Sequence, residues 1–242
     1  MASALGWGAL ATSSLVLGAL LAFARQWPPR QIGLVLAFGA GALISAVSFE
    51  LAAEGLRVGT LRATAIGLGV GALTYFGLDG LIADRFSAGR GQRGRAGSSN
   101  PGTALALGAF LDGIPEQLVL GIGLAGGGGI GVGLLVAIFV SNLPEAIGSA
   151  SEMRKAGTSR RTVLRLWAAV AAICTLACVV GYVIADAASG ELQAGIDGFA
   201  AGALLVMLID SMIPEATRQS GRIAGLVTTL GFAVATALSS IS

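Results

Sequence analysis

Residues 103–151 read TALALGAFLDGIPEQLVLGIGLAGGGGIGVGLLVAIFVSNLPEAIGSAS. Two apolar runs, 103–125 and 130–151, flank four consecutive glycines at 126–129. Each run has the roughly 20 residues that a helix needs to cross a bilayer. So short a connection makes the two helices antiparallel neighbours. Both carry polar groups near mid-length: Asp112 and Glu116 in the first, Ser141, Asn142 and Glu145 in the second. Asp112 and Glu116 are four residues apart, as are Ser141 and Glu145, so each pair shares a helix face. A proline precedes each glutamate, Pro115 and Pro144. Proline inside a helix removes one backbone hydrogen bond, which frees the Leu111 and Val140 carbonyls beside the carboxylates.

The rest of the chain repeats the apolar pattern. Further runs cover residues 3–24, 31–56, 60–83, 166–187, 194–217 and 222–241, making eight expected transmembrane helices in one all-α polytopic membrane domain. The first run lacks a basic leader and is too long for a signal-peptide core. A Gly/Arg/Ser stretch, 84–102, reads as a flexible basic loop, and 152–165 as a second basic connection. Composition agrees. Of 242 residues, 55% are hydrophobic and only 12% charged, against about 25% charged in a soluble chain. This excludes a disordered chain, a nucleic-acid binder and an ordinary soluble enzyme. The absence of histidine removes imidazole catalysis and imidazole metal ligands.

Placing the loops after spans one, three, five and seven in the cytoplasm puts every Lys and Arg inside except Arg57 and Arg62. That is the positive-inside asymmetry, and it leaves both termini extracytoplasmic. The basic loop 84–102 serves as an inner-face anchor or contacts anionic membrane lipid. Phe38–Leu43 (FGAGAL) resembles Phe199–Leu204 (FAAGAL), and each is followed at one offset by an acid, Glu54 and Glu215. The two spans run in opposite directions, the pattern of an inverted repeat.

Carboxylates inside spans carry the functional reading. Besides Asp112, Glu116 and Glu145 there are Glu50, Glu54, Asp210 and Glu215, the last after Pro214. An ionised acid at the bilayer centre costs about 2.5–3.5 kcal/mol on an insertion scale. Protonation, a bound cation or an aqueous cavity relieves that cost.

Asp112-Gly-Ile-Pro115-Glu116 and Ser141-Asn142-Leu-Pro144-Glu145 resemble the paired His-Asn-x-Pro-Glu motifs of the ZIP (Zrt/Irt-like) metal transporters. The resemblance covers the whole chain, as a divergent, histidine-free member of the prokaryotic type. It implies a 3+2+3 arrangement of eight helices and a cell-membrane carrier of divalent metal cations, with the metal held between helices four and five. Carried over by position, Asp112 and Ser141 stand where the family has histidine, Asn142 matches its asparagine, and Glu116 and Glu145 match its glutamates. Gly113 replaces the first asparagine. The implied metal ligands are therefore Asp112, Glu116, Asn142, Glu145 and Ser141, with Gln117 as a further oxygen donor; Cys174 and Cys178, four residues apart on the sixth span, are either soft extra ligands or small packing residues. Glu50, Glu54, Asp210 and Glu215 are entrance, exit or proton relays. Oxygen donors suit Mg, Ca and Mn better than an imidazole shell does, while Zn also accepts carboxylates. Zn, Fe or Mn is the expected cargo, by gradient-driven alternating access. The alternatives are a ZIP-fold protein that binds metal or protons without moving them, as a sensor or structural element, and a membrane-embedded carboxylate hydrolase, which the lack of histidine and of a substrate domain disfavours. A homodimer is compatible with the small-residue faces.

Overall fold

A computed structural model describes residues 1–91, 101–125, 132–188 and 190–240, without the side chains of 79, 82–91, 101–109, 111, 112 and 132. All regular structure among the described residues is helical. The helices are α1 (Ala2–Ala24), α2 (Pro29–Ala46), α3 (Ala53–Val58), α4 (Leu61–Gly91), α5 (Pro101–Ala125), α6 (Val132–Lys155), α7 (Arg160–Asp186), α8 (Glu191–Met207), α9 (Ile213–Ser220) and α10 (Ile223–Ser239). A π-helical turn, Val47–Ala52, joins α2 to α3, and a second, Leu208–Met212, joins α8 to α9. Among the described residues the helices therefore form eight rods, one at each apolar run.

Six stretches among the described residues are long and apolar enough to cross a membrane, including the two 30-residue rods Pro29–Val58 and Glu191–Ser220. Gly113–Ala125 and Ile223–Ser239 are shorter apolar helices. The protein is a multi-pass membrane protein. α4 continues to Gly91 and α5 starts at Pro101, so both ends of the basic loop expected at 84–102 are helical, as extensions of the spans that flank it. Residues 92–100 and the glycine turn at 126–129 lie outside the described residues.

Helix ends follow local chemistry. Pro29 opens α2, where its missing N–H costs nothing. Ser159 caps α7 by accepting a 3.3 Å hydrogen bond from the Thr162 N–H. Trp27 Nε1 donates to the Leu21 carbonyl at the end of α1 (2.9 Å), and the Arg25 guanidinium lies 3.7 Å from the Trp27 ring centre. Arg154 Nη1 reaches the Ala22 carbonyl at 2.6 Å and so ties α6 to α1.

Small residues set the rod packing. α2 crosses α10 so closely that a Cβ on Gly41 would collide with the Thr228 carbonyl, and one on Gly231 with the Phe38 carbonyl. α4 crosses α8 in the same way, Gly71 on Phe199 and Gly202 on Leu68. Hydroxyl pairs add short polar links, Thr12 with Thr175 and Ser45 with Thr236, each at 2.9 Å. α5 and α6, with α2 and α7 against them, form the centre that holds the polar residues. Beside it, α4, α5, α7 and α8 line a half-open apolar cavity of about 620 Å³ with Pro115 in its wall.

Candidate metal site

α5 and α6 remain helical through Pro115 and Pro144, and the residues around those prolines face each other. Glu116, Gln117, Ser141 and Asn142 are all buried, none more than 1% exposed. Ser141 Oγ donates a 3.0 Å hydrogen bond to Glu116 Oε1, with the Ile138 carbonyl, also at 3.0 Å, as its other acceptor. Glu145 is half-buried one turn along α6. α2 closes this face: a Cβ on Gly39 would lie 2.9 Å from Ser141 Cα, so only glycine lets the helix seat there.

The amides of the site are unsatisfied. Both polar atoms of Asn142 and both of Gln117 lack a hydrogen-bond partner among the described residues. A buried unpaired polar group costs about 1–3 kcal/mol. Native proteins keep such groups where a water, an ion or a function accounts for them. Two carboxylates, a hydroxyl and two primary amides together make a set of oxygen donors suited to a hard or borderline cation.

Asp112 lies in α5 one turn before Glu116, but its side chain is outside the described residues. Among the described residues no three Asp, Glu or Cys side chains converge as a metal-holding group. Cys174 of α7 is fully buried and lies within electrostatic reach of both Glu116 and Glu145. Its Sγ would be 3.0 Å from a Cβ on Gly113, so the thiol borders the site. Cys178 turns the other way and donates to the Ala4 carbonyl of α1 at 3.4 Å.

The four other acids are dispersed. Glu50, in the first π-helical turn, accepts a 2.5 Å hydrogen bond from Ser239 Oγ of α10 and one from the Leu134 N–H in the first turn of α6. It thereby satisfies one of the donors that a helix N-terminus leaves open and joins three rods. Glu54 is paired with Arg57 at 2.5 and 2.7 Å, and Glu215 with Arg218 at 2.5 and 2.8 Å. Gln219 also donates to Glu215. Arg57 and Arg218, read from the sequence as loop charges, are thus i+3 partners of these acids. Asp210 sits exposed on the second π-helical turn.

A further acid is not among the sequence candidates. Asp197 of α8 is 2% exposed, with Gln193 Nε2 donating to its Oδ1 at 3.0 Å. The Gln193-x-x-x-Asp197 spacing is its sequence signal, and an acid near the start of an apolar run equally suits the edge of a span.

The sequence model of the ZIP zinc transporter family matches residues 91–239. The chain is 29% identical over 208 residues to a candidate zinc transporter of Arabidopsis thaliana, covering 84% of this chain and 33% of that protein. It is 27% identical over 128 residues to a zinc transporter of Mus musculus, covering 50% of this chain and 26% of the mouse protein. The chain thus spans about a third or less of the length of these relatives. The family match takes in both Pro-Glu helices and most of the chain, and the protein belongs to the ZIP zinc transporter family.

Proposed function

We propose that this chain moves a divalent cation, zinc or a close relative such as Fe or Mn, across the membrane through the oxygen-lined site between α5 and α6. One observation carries the reading. The buried carboxylate Glu116 is bonded to Ser141 across the helix pair, beside Asn142 and Gln117 amides that have no partner among the described residues. An arriving cation takes Glu116 and Glu145 as its charged ligands. It replaces the Ser141 proton at Glu116 Oε1 and gives the Asn142 carbonyl oxygen a partner. Asp112, four residues before Glu116 in the sequence, is proposed as a further carboxylate, and Ser141 and Gln117 complete the oxygen set. Cys174 is the adjacent soft donor.

The transport cycle we infer is alternating access driven by a gradient. Spans one to three and six to eight form the two repeats of a 3+2+3 arrangement, inverted relative to each other, with both termini outside. Three pairs of features support this. Each repeat has a π-helical turn in its middle rod. Each π-helical turn leads to a Glu–Arg pair at one offset, Glu54–Arg57 and Glu215–Arg218. The α2–α10 crossing at Gly41 and Gly231 matches the α4–α8 crossing at Gly202 and Gly71. Glu54 and Glu215 then mark the opposite mouths of the path, with Asp210 and Glu50 between them and the centre.

The test is radioactive zinc uptake into vesicles containing the purified chain, compared with Glu116→Ala and Glu145→Ala. Uptake abolished in both variants is expected. Uptake equal to that of the parent chain rejects the site.

A further inference from the structure

Asp197 is a buried acid that the metal site does not use. Its Oδ1 accepts from Gln193, and its Oδ2 has no hydrogen-bond partner among the described residues. Within the rod Glu191–Ser220, which is long and apolar enough to span a membrane, an ionised carboxylate with no counter-charge is the costly state.

Among the described residues, the groups around it supply no counter-charge. α3 brings Glu54, near enough for the two acids to interact. Arg57 on the same helix is held by Glu54 through two bonds, and its side chain is 71% exposed. The π-helical turn before α3 carries Glu50, already held by Ser239 and Leu134. α4 carries Arg62, which is exposed, and Thr64, whose hydroxyl donates to the Thr60 carbonyl. On α8 itself Glu191 is occupied by Thr60. α5 borders α8 through Ile114, Leu118, Val119 and Ile122 around the apolar cavity. The π-helical turn after α8 carries Asp210, exposed and a further negative group.

We propose that Asp197 is a proton-binding site on α8, separate from the metal site, filled in the conformation described here and emptied to water when α8 and α3 part. The proton binds Oδ2 from water as an O–H bond and returns to water by breaking it, while Oδ1 keeps the Gln193 hydrogen bond in both states. A neutral Asp197 lets α8 pack against Glu54. An ionised one repels Glu54 and favours separation. The site therefore makes flux through the protein respond to pH. That last consequence rests on the transport reading. The protonation itself does not.

The experiment has two readouts on the full chain in lipid. Infrared titration follows the carbonyl stretch of protonated carboxyl groups at neutral pH without metal. Asp197→Asn, which preserves the acceptor for Gln193, loses part of that band, whereas Glu191→Gln, an exposed acid on the same helix, leaves it unchanged. A band untouched by Asp197→Asn overturns the proposal. Zinc uptake into vesicles is then measured across external pH. The parent chain shows a pH dependence that Asp197→Asn abolishes, and retention of the parent profile in the variant likewise overturns it. A parent chain that moves no zinc at any pH rejects the transport reading instead, and the infrared result still decides the proton site.

Discussion

Ser141 donates a 3.0 Å hydrogen bond to Glu116 across the α5–α6 interface, so the two Pro-Glu helices are joined at the point where a cation would part them. Ser141→Ala removes the donor from a buried carboxylate. It is expected to destabilise the metal-free protein by about 1–3 kcal/mol and to be partly rescued by zinc, which supplies Glu116 with another partner. Thermal unfolding in detergent with and without zinc checks this. An equal loss under both conditions means that no cation competes for Glu116.

Asn142 is buried with both amide atoms unpartnered among the described residues. Asn142→Leu removes an unsatisfied amide at nearly constant volume, so the metal-free protein is expected to be no less stable than the parent. Metal affinity is expected to fall about 10-fold or more, since even groups behind a ligand contribute that much. Isothermal titration and melting curves on one preparation separate the two effects. A variant that melts lower but binds metal normally contradicts the assignment.

Glu50 holds the first turn of α6 through the Leu134 N–H and α10 through Ser239. Glu50→Ala is expected to speed amide hydrogen exchange at the start of α6, where a lost cap costs about 1 kcal/mol, and Ser239→Ala to speed it less. Exchange followed by mass spectrometry reads both. Unchanged exchange at residues 133–136 in Glu50→Ala refutes the capping role.

Arg57 and Arg218 have side chains 71% and 72% exposed, so their ion pairs contribute little to stability. Arg57→Ala and Arg218→Ala are expected to melt near the parent temperature yet to alter zinc uptake, because each frees a glutamate at a proposed mouth of the path. A large drop in melting temperature with unchanged uptake reverses the assignment and makes the pairs structural.

A Cβ at Gly231 would collide with the Phe38 carbonyl, whereas one at Gly225 meets nothing within 4 Å. Gly231→Ala is therefore expected to cost about 1–3 kcal/mol through overpacking, and Gly225→Ala, elsewhere on α10, close to nothing. Expression level and unfolding of the two variants make the comparison, and equal behaviour removes the close crossing as a stability determinant.

The rods were legible because each apolar run has the length the bilayer demands. The polar positions of the candidate site stand out in the sequence because Asp112-x-x-Pro-Glu116 and Ser141-Asn142-x-Pro-Glu145 place such groups where an apolar helix would have none. Pairings made across the fold were not legible. Nothing in Val47–Ala52 (VSFELA) marks a π-helical turn, since its residues also suit an α-helix. Glu50 meets Ser239 only because α2 and α10 come into register through glycines far apart in the chain. Arg57 and Arg218 were legible as charges but assigned to the loops, since i+3 pairing and loop anchoring use the same residues. Asp197 was passed over because an acid near the start of an apolar run looks like the edge of the span.

The close crossing of α2 and α10 bears on how the protein assembles. α2 is made early and α10 late, yet Gly41 and Gly231 fit only each other's helix at van der Waals distance. Pairing between parts so distant in the chain is slow, because closure entropy is spent before any contact repays it. The Gly41 groove of α2 therefore stays bare while the intervening helices enter the membrane, and α10 closes it. During that interval the nascent protein presents a helix-sized vacancy to chaperones and proteases. A lesion that delays α10 would lower the amount of protein made long before it changed what a finished molecule does.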